Sequence, residues 1–242
     1  LTDQAGTQQA RAATGLRELA EQLGSMAQGA DQDGMARTLV EDVARRVPSG
    51  WQDAGDNIYL LGVTSTELSG SAWAGTIHNH LGGRPPKVDL AQEKRLAELL
   101  HAGSQQSLLA SAHDLSDGGL AQALAEAVLR FGVGARVWLR EIMERDGVDA
   151  ASALFSESTG RVIVSVPRED DVRFRGLCEG RGYPVLRIGV TDVPASGEPV
   201  LDIQDLFTVP LNELRGLSQD TLPALFGAVI SEPVITESGA QA

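Results

Sequence analysis

Three short, dense runs of apolar and β-branched residues limit most strongly what this chain can fold into. They are NIYLLGV (57–63), RVIVSV (161–166) and VLRIGV (185–190), and turn-forming or polar residues border them. Runs of this length without polar alternation are typical of strands that are covered on both faces. We therefore expect the three runs to be central strands of one sheet.

The stretches between and around these runs predict helices and further strands. Three of them predict helices: SAWAGTIHNHL after a polar loop, AQEKRLAELLHAG ending at Gly103, and DDVRFRGLCEGRG. Three further stretches predict strands, the last of them a strand or a loop: LLASAHDL, ARVWLR and LDIQDLF. A helix from Leu120 to about Arg130 follows the first of these. The order β-α-α-β-α-β-β-α-β-β indicates an α+β fold, a mixed β-sheet with helices packed on it.

The two ends of the chain differ from its middle. Residues 1–47 have leucines, valines and a methionine at helical spacing, which predicts an amphipathic helical lead-in, interrupted near GADQDG. This stripe either binds a partner or packs on its own domain. Residues 48–230 are expected to form the main domain and residues 231–242 a flexible tail. Because the chain begins with Leu1, it is expected to be a fragment, a processed product or a trimmed chain.

Composition excludes several function classes. The chain has 20 Lys and Arg against 33 Asp and Glu, a formal net charge of −13, and no basic cluster, which disfavours nucleic-acid binding. No apolar run is long enough to predict a membrane span, and no signal peptide is expected. The single cysteine, Cys178, excludes an internal disulfide or a cysteine-based zinc site. We expect it to be a buried apolar residue in a reducing, cytoplasmic protein.

A strand runs directly into a helix at HDLSDGGL, whose residues 114–119 are called the bend. Asp117 or Ser116 could cap the helix, while Gly118 and Gly119 would leave amides free to bind an anion. Asp114, with Asp117, could instead hold magnesium that bridges to phosphate. A capped helix with two solvated aspartates explains the pattern equally well. His113 is expected to be a hydrogen-bonded structural residue rather than a base.

Two further polar loops have a similar character. The serine loop, residues 156–161 (SESTGR), precedes the strongest strand, and Glu157 and Arg161 in it either form a surface ion pair or join an anion pocket. The third loop, residues 67–74 (ELSGSAWA), reads as a polar site or as a serine-capped helix start. Because loops gather at strand ends, we expect the bend and the serine loop to form one small polar pocket.

Four motifs in order resemble one known family: YLLGVTSTELSGSAWA, HLGGRPPKVDLAQEKRLAELL, SAHDLSDGGLAQALAEA and LFSESTGRVIVSVP. They look like the second B domain, at the C-terminus, of phosphoribosylformylglycinamidine synthase, in the AIR-synthase-like superfamily. The resemblance covers residues 36–228, whereas residues 1–34 do not fit it.

This resemblance implies an ATP-dependent carbon–nitrogen ligase of purine biosynthesis, which converts formylglycinamide ribonucleotide to the amidine. It implies ATP or ADP and Mg²⁺ as cofactors, and as partners the remaining synthetase domains, a glutaminase subunit and a small accessory subunit. The family's catalytic histidine and ATP-binding lysine have no counterpart here, so no residue is assigned to catalysis and the isolated chain is expected to be inactive.

The bend and the serine loop resemble the pseudo-symmetric copies in the family's second half, which lie near an auxiliary nucleotide site or a structural site. Asp114 is the candidate metal ligand. The candidate phosphate- or nucleotide-binding residues are Ser116, Asp117, Gly118, Gly119, Ser156, Glu157, Ser158 and Arg161. The alternatives are a catalytically silent interaction or structural domain, or a superfamily member of the selenophosphate synthetase or thiamine-phosphate kinase type.

Overall fold

The computed structural model describes residues 43, 45–80, 82–192 and 197–226. Most of the predicted N-terminal helix over residues 1–47, and the predicted tail over residues 231–242, lie outside this part of the chain. The described elements follow in this order: β1 (Asn57–Leu61), α1 (Ala72–His78), α2 (Leu90–Gln105), β2 (Ser111–Asp114), α3 (Gly119–Phe131), β3 (Gly134–Val137), α4 (Arg140–Asp146), α5 (Ala150–Phe155), β4 (Val162–Val166), a 3₁₀ turn (Arg168–Asp170), α6 (Asp171–Gly180), β5 (Val185–Asp192), β6 (Val200–Ile203), β7 (Phe207–Pro210) and α7 (Leu211–Phe226).

The strands form one seven-stranded sheet in the order β2-β4-β1-β5-β3-β6-β7. Strands β3 and β6 pair in parallel, and the other pairs are antiparallel. The three dense apolar runs are β4, β1 and β5, which lie side by side in the sheet. The prediction that they are central strands of one sheet is confirmed, and so is the α+β fold class.

Side chains of β1 alternate between two hydrophobic cores, one on each face of the sheet. Ile58 and Leu60 pack with the apolar faces of α3, α4 and α5, whereas Tyr59 and Leu61 pack with α2 and α6. Period-two alternation sends neighbouring side chains of a strand to opposite faces. Because helices cover both faces, all five residues of β1 are buried. This explains why the run has no polar alternation.

The sequence-based assignment missed or misplaced several elements. It did not predict α4 and α5, which fill the connection between β3 and β4, and it did not assign α7 as a helix. Gly103 does not end α2, which continues to Gln105. The glycine instead meets a packing requirement, because a Cβ at this position would lie 3.0 Å from the Leu109 side chain. The segment LDIQDLF contributes to two strands, β6 and β7.

Antiparallel pairing brings three chain segments to one end of the sheet. In the register of β4, Val162 lies opposite Asp114 at the end of β2 and opposite Leu61 at the end of β1. The bend leaves β2 at this point, the chain towards the third loop leaves β1, and the serine loop enters β4. Strand order therefore places all three polar loops together.

Candidate functional site

A cavity of about 530 Å³ opens beside two of these loops, the bend and the serine loop. One wall is the apolar side of α2 and the segment before it, and the other is formed by the bend and the serine loop. Its lining residues are Pro86, Glu93, Leu96, Ala97, Leu100, Asp114, Leu115, Ser116, Asp117, Glu157, Thr159, Gly160, Arg161 and Val162. The prediction that the bend and the serine loop form one pocket is thus confirmed in its geometry.

Glu157 connects all three loops. Its Oε1 accepts a hydrogen bond from the Gly118 amide at 2.8 Å and another from the Ala72 amide at 2.8 Å. Its own amide donates to the Glu67 carbonyl oxygen at 3.3 Å. A carboxylate at the amino-terminal end of a helix is stabilised by the helix dipole. Glu157 therefore supplies the negative charge at the start of α3.

This arrangement corrects the predicted cap of α3. The helix begins after Gly118, which adopts φ 77°, and neither Ser116 nor Asp117 provides a side-chain cap. Both of those residues are exposed. The reason is that Gly118, which has no side chain, stands at the N-cap position, so Ser116 and Asp117 lie outside it. The Gly118 amide donates instead to the Glu157 carboxylate from another loop. The Gly119 amide donates to the Ser116 carbonyl oxygen at 3.0 Å.

The third loop proves to be a capped helix start. Ser71 is the N-cap of α1, and its Oγ accepts from the Ala74 amide at 3.2 Å. This geometry matches the structural interpretation of ELSGSAWA.

The hydroxyl groups of the serine loop point into the protein. The Ser156 Oγ donates to the Ser65 carbonyl oxygen at 2.6 Å and lies 2.9 Å from the Ser158 Oγ. Ser158 Oγ lies 3.3 Å from the same carbonyl oxygen. Both serines are buried. Their hydroxyls hold the serine loop against the chain that follows β1.

Arg161 is a buried structural cation and not part of a surface ion pair with Glu157. Only 2% of its surface is exposed. The Nε donates to the Ser158 carbonyl oxygen at 2.9 Å, Nη1 donates to the Thr64 hydroxyl at 3.2 Å, and Nη2 donates to the Ser156 carbonyl oxygen. Burial lowers the pKa of the guanidinium to about 10, so it remains charged at neutral pH. By donating to two carbonyl oxygens of the serine loop, Arg161 stabilises the conformation of that loop.

The mouth of the cavity is acidic. Four lining residues carry carboxylates, Glu93, Asp114, Asp117 and Glu157, against the single buried guanidinium of Arg161. No group of three or more His, Cys, Asp or Glu side chains within the described ranges is placed to hold a metal ion. A magnesium ion at Asp114 would therefore need most of its ligands from water or a bound phosphate.

His113 beside the bend has the structural role expected of it. Its Nε2 lies 3.0 Å from the Glu126 carboxylate and its Nδ1 lies 2.8 Å from the Asp114 carbonyl oxygen. Cys178, in the second core, is also buried as expected, and burial raises the pKa of its thiol to about 12.

The donors that the sequence assigned to phosphate are already used inside the protein. The amides of Gly118 and Gly119 and the groups of Ser156, Ser158 and Arg161 all donate to or contact oxygens of the chain itself. The two glycines are also required by packing, because a Cβ on Gly119 would lie 2.3 Å from the Ser156 carbonyl oxygen and one on Gly118 would lie 2.8 Å from the Gln122 Cβ. In this conformation these donors are engaged with oxygens of the chain itself.

In the part of the chain that the structure describes, no helix combines the length and hydrophobicity needed to cross a membrane.

Comparison with known proteins identifies the family. Residues 53–201 match the model of the AIR synthase related protein, C-terminal domain. The PurL subunit of phosphoribosylformylglycinamidine synthase from Leifsonia xyli subsp. xyli is 72% identical over 192 residues, which are 79% of this chain and 25% of the relative. PurL from Streptomyces coelicolor is 49% identical over 187 residues, 77% of this chain and 24% of the relative. The chain thus spans about a quarter of the length of these curated relatives.

Solved structures show the same fold. PurL from T. maritima complexed with FGAR superposes with a TM-score of 0.59 at 21% identity, over 71% of this chain and 29% of that one. The same protein complexed with ATP gives a TM-score of 0.54 at 21% identity, over 71% and 27%. The chain therefore belongs to the AIR synthase related proteins and carries the C-terminal domain of that family, in the form found in PurL subunits.

Proposed function

We propose that this chain serves as the C-terminal domain of a PurL-type synthase, which converts formylglycinamide ribonucleotide to formylglycinamidine ribonucleotide with the hydrolysis of ATP. The observation that carries this proposal is the 72% identity over 192 residues with the Leifsonia PurL subunit. Relatives from Streptomyces and Mycolicibacterium at 49% identity bear the same name. The selenophosphate synthetase and thiamine-phosphate kinase alternatives have less support.

The domain contributes structure to the synthase rather than reacting groups. Donors of its candidate polar pocket are engaged in hydrogen bonds within the chain, and no residue is assigned to catalysis. We therefore expect the isolated chain to form no amidine from formylglycinamide ribonucleotide, ATP and ammonium. Nucleotide chemistry then belongs to other parts of the longer protein.

Cofactors and partners follow at the level of the whole synthase. T. maritima PurL has been solved in complex with ATP, ADP and AMPPCP, which supports nucleotide use by the synthase. The structure of PurLQS from T. maritima supports the proposal of a glutaminase subunit and a small accessory subunit as partners. Magnesium remains a prediction from the resemblance. A reducing, cytoplasmic setting is part of the proposal and agrees with the single buried cysteine.

A domain exchange tests the proposed function. The segment of Leifsonia PurL that matches this chain is replaced by the corresponding segment of this chain, and amidine formation is measured with ATP and ammonium. We expect the exchanged enzyme to keep a turnover comparable to that of the parent. A matched exchange that carries Leu60→Asp, which puts a charge into the buried core, should lose it.

The internally satisfied pocket favours a second candidate, a silent structural domain with no role in the synthase reaction. A folded exchanged enzyme without turnover would support that candidate and contradict the proposed function. Amidine formation by the isolated chain would contradict the expected inactivity instead.

A further inference from the structure

A carboxylate of the chain itself, that of Glu157, lies in the polar pocket at the position where an anion would bind. The Glu157 carboxylate lies at the start of α3, where the backbone amide of Gly118 points towards it at 2.8 Å. The amino-terminal end of a helix with free amides is a site at which phosphate binds in many proteins. We propose that Glu157 determines the specificity of this pocket: its carboxylate occupies the anion position of α3 and excludes phosphate, including the phosphates of a nucleotide.

The position of Glu157 is fixed from several sides. The same Oε1 atom accepts from the Ala72 amide at 2.8 Å, so its displacement would break two hydrogen bonds to backbone amides. The neighbouring Ser156 and Ser158 hydroxyls and the Arg161 guanidinium hold the serine loop from inside the protein. The carboxylate is thus a built-in ligand on a fixed loop and not a freely moving surface side chain.

The glycines of the bend agree with this interpretation. Gly118 has φ 77° and Gly119 has φ 62°, conformations that glycine adopts without strain. A Cβ on Gly119 would meet the Ser156 carbonyl oxygen at 2.3 Å, and one on Gly118 would meet the Gln122 side chain. Both glycines are therefore explained by contacts within the chain, and neither one opens space for a ligand.

Electrostatics oppose a phosphate further. Beside Glu157, the pocket is lined by the carboxylates of Asp114, Asp117 and Glu93. Among the described residues that line it, Arg161 is the one cation, and it is buried and donates to the chain. A phosphate at the Gly118 amide would have to displace one carboxylate and remain close to others. Like charges on neighbouring groups repel each other.

Phosphate titration of the full chain tests this proposal, with the backbone amide resonances of Gly118 and Ala72 as the readout. The ligands are inorganic phosphate and magnesium-ADP, in separate titrations. In the wild-type chain we expect neither resonance to move saturably with either ligand. In Glu157→Ala, we expect both resonances to move saturably with inorganic phosphate, at a Kd at least about tenfold below the lower limit that the wild-type titration sets.

Two variants serve as controls. Asp117→Ala also removes one carboxylate from the pocket, but it leaves Glu157 on the amide, so it should bind no better than the wild type. Glu157→Ser is a second opening variant, with a short hydroxyl that can accept from a helix amide, in case the alanine variant does not fold.

Three results would overturn the proposal. The first is saturable movement of the wild-type Gly118 resonance with magnesium-ADP. The second is absence of phosphate binding in folded Glu157→Ala or Glu157→Ser. The third is phosphate binding by Asp117→Ala as tight as that by Glu157→Ala. This pocket is the one discussed under the proposed function, but here the measured quantity is phosphate binding to the isolated chain. A failure of this proposal is therefore distinguishable from a failure of the domain exchange, which is read out by turnover.

Discussion

The Glu157 carboxylate and the Gly118 amide lie 2.8 Å apart although 39 positions separate them in the sequence. Strand pairing accounts for the distance, because β2 ends at Asp114 opposite Val162, where the serine loop enters β4. The bend and the serine loop therefore contact each other as soon as these two strands pair. A carboxylate in the second loop can then accept from an amide in the first.

Because the two loops lie so close together, substitution of Gly119 should cost more stability than its left-handed backbone conformation alone would cause. Gly119→Ala would place a Cβ 2.3 Å from the Ser156 carbonyl oxygen in a residue with φ 62°. We expect a loss of stability well beyond the roughly 1–2 kcal/mol of left-handed strain, measured by urea unfolding. Gly147→Ala is the matched control, since its φ is 69° and no atom lies within 4 Å of the added Cβ. Equal losses in the two variants would show that the contact with the serine loop is absent.

Arg161 provides a second test of the serine loop. Arg161→Met fills the site with a long apolar side chain but removes the donors to the Ser156 and Ser158 carbonyl oxygens. Buried acceptors without a donor are costly, so we expect a loss of at least about 2 kcal/mol in the free energy of unfolding. Arg140→Met, at an exposed position, should change stability by no more than about 0.5 kcal/mol. A similarly small effect at Arg161 would mean that its guanidinium is solvated rather than buried.

The central position of β4 can be tested at Ile163, which has 1% of its surface exposed and packs in the first core. Ile163→Ala should cost about 2–5 kcal/mol, the range for truncation of a buried aliphatic side chain. Ile77, with 56% exposed, is the control, and Ile77→Ala should cost about 0.5 kcal/mol or less. A change at Ile163 as small as the control would place β4 at the surface.

The central strands could be predicted from the sequence because their signal is local. An uninterrupted apolar run such as NIYLLGV is explained only by cover on both faces, and helices supply that cover. The short helices α4 and α5 were missed because six or seven residues give too few turns for a clear period. Gly147 and Asp149 between them, a C-cap and an N-cap, were the available signals.

The roles inside the candidate site depend on contacts that the sequence pattern does not contain. That the bend and the serine loop meet follows from their positions at strand ends. The structure shows that Glu157, and not Asp117, accepts from the Gly118 amide, and that Arg161 points into the protein. Both facts depend on the direction in which these side chains point once the strands have paired. Composition gives the same serines, glycines and acidic residues for an open anion site and for a closed one.

The last prediction concerns pH and Asp56, a buried residue that directly precedes β1. Burial raises the pKa of its carboxyl group from 3.8 to about 6, with repulsion from Asp53 and Glu169 adding to the shift and Arg168 opposing it. The folded state thus holds the proton more tightly than the unfolded state does. The protein gains stability from this group at low pH and loses it as the pH rises from about 4 to about 6.

Asp56→Asn keeps the shape of the side chain and removes the charge. At pH 7 we expect this variant to be more stable than the wild type by on the order of 1–3 kcal/mol in urea unfolding. The advantage should shrink as the pH falls below about 6, and it should vanish below the unfolded-state pKa of 3.8, where both proteins are neutral at this position. Asp53→Asn removes one repelling neighbour but not the burial, so its gain should be smaller. If the Asp56→Asn variant had the same advantage at low and at neutral pH, packing and not the ionisation of the buried carboxyl group would be responsible, since only ionisation changes across this range.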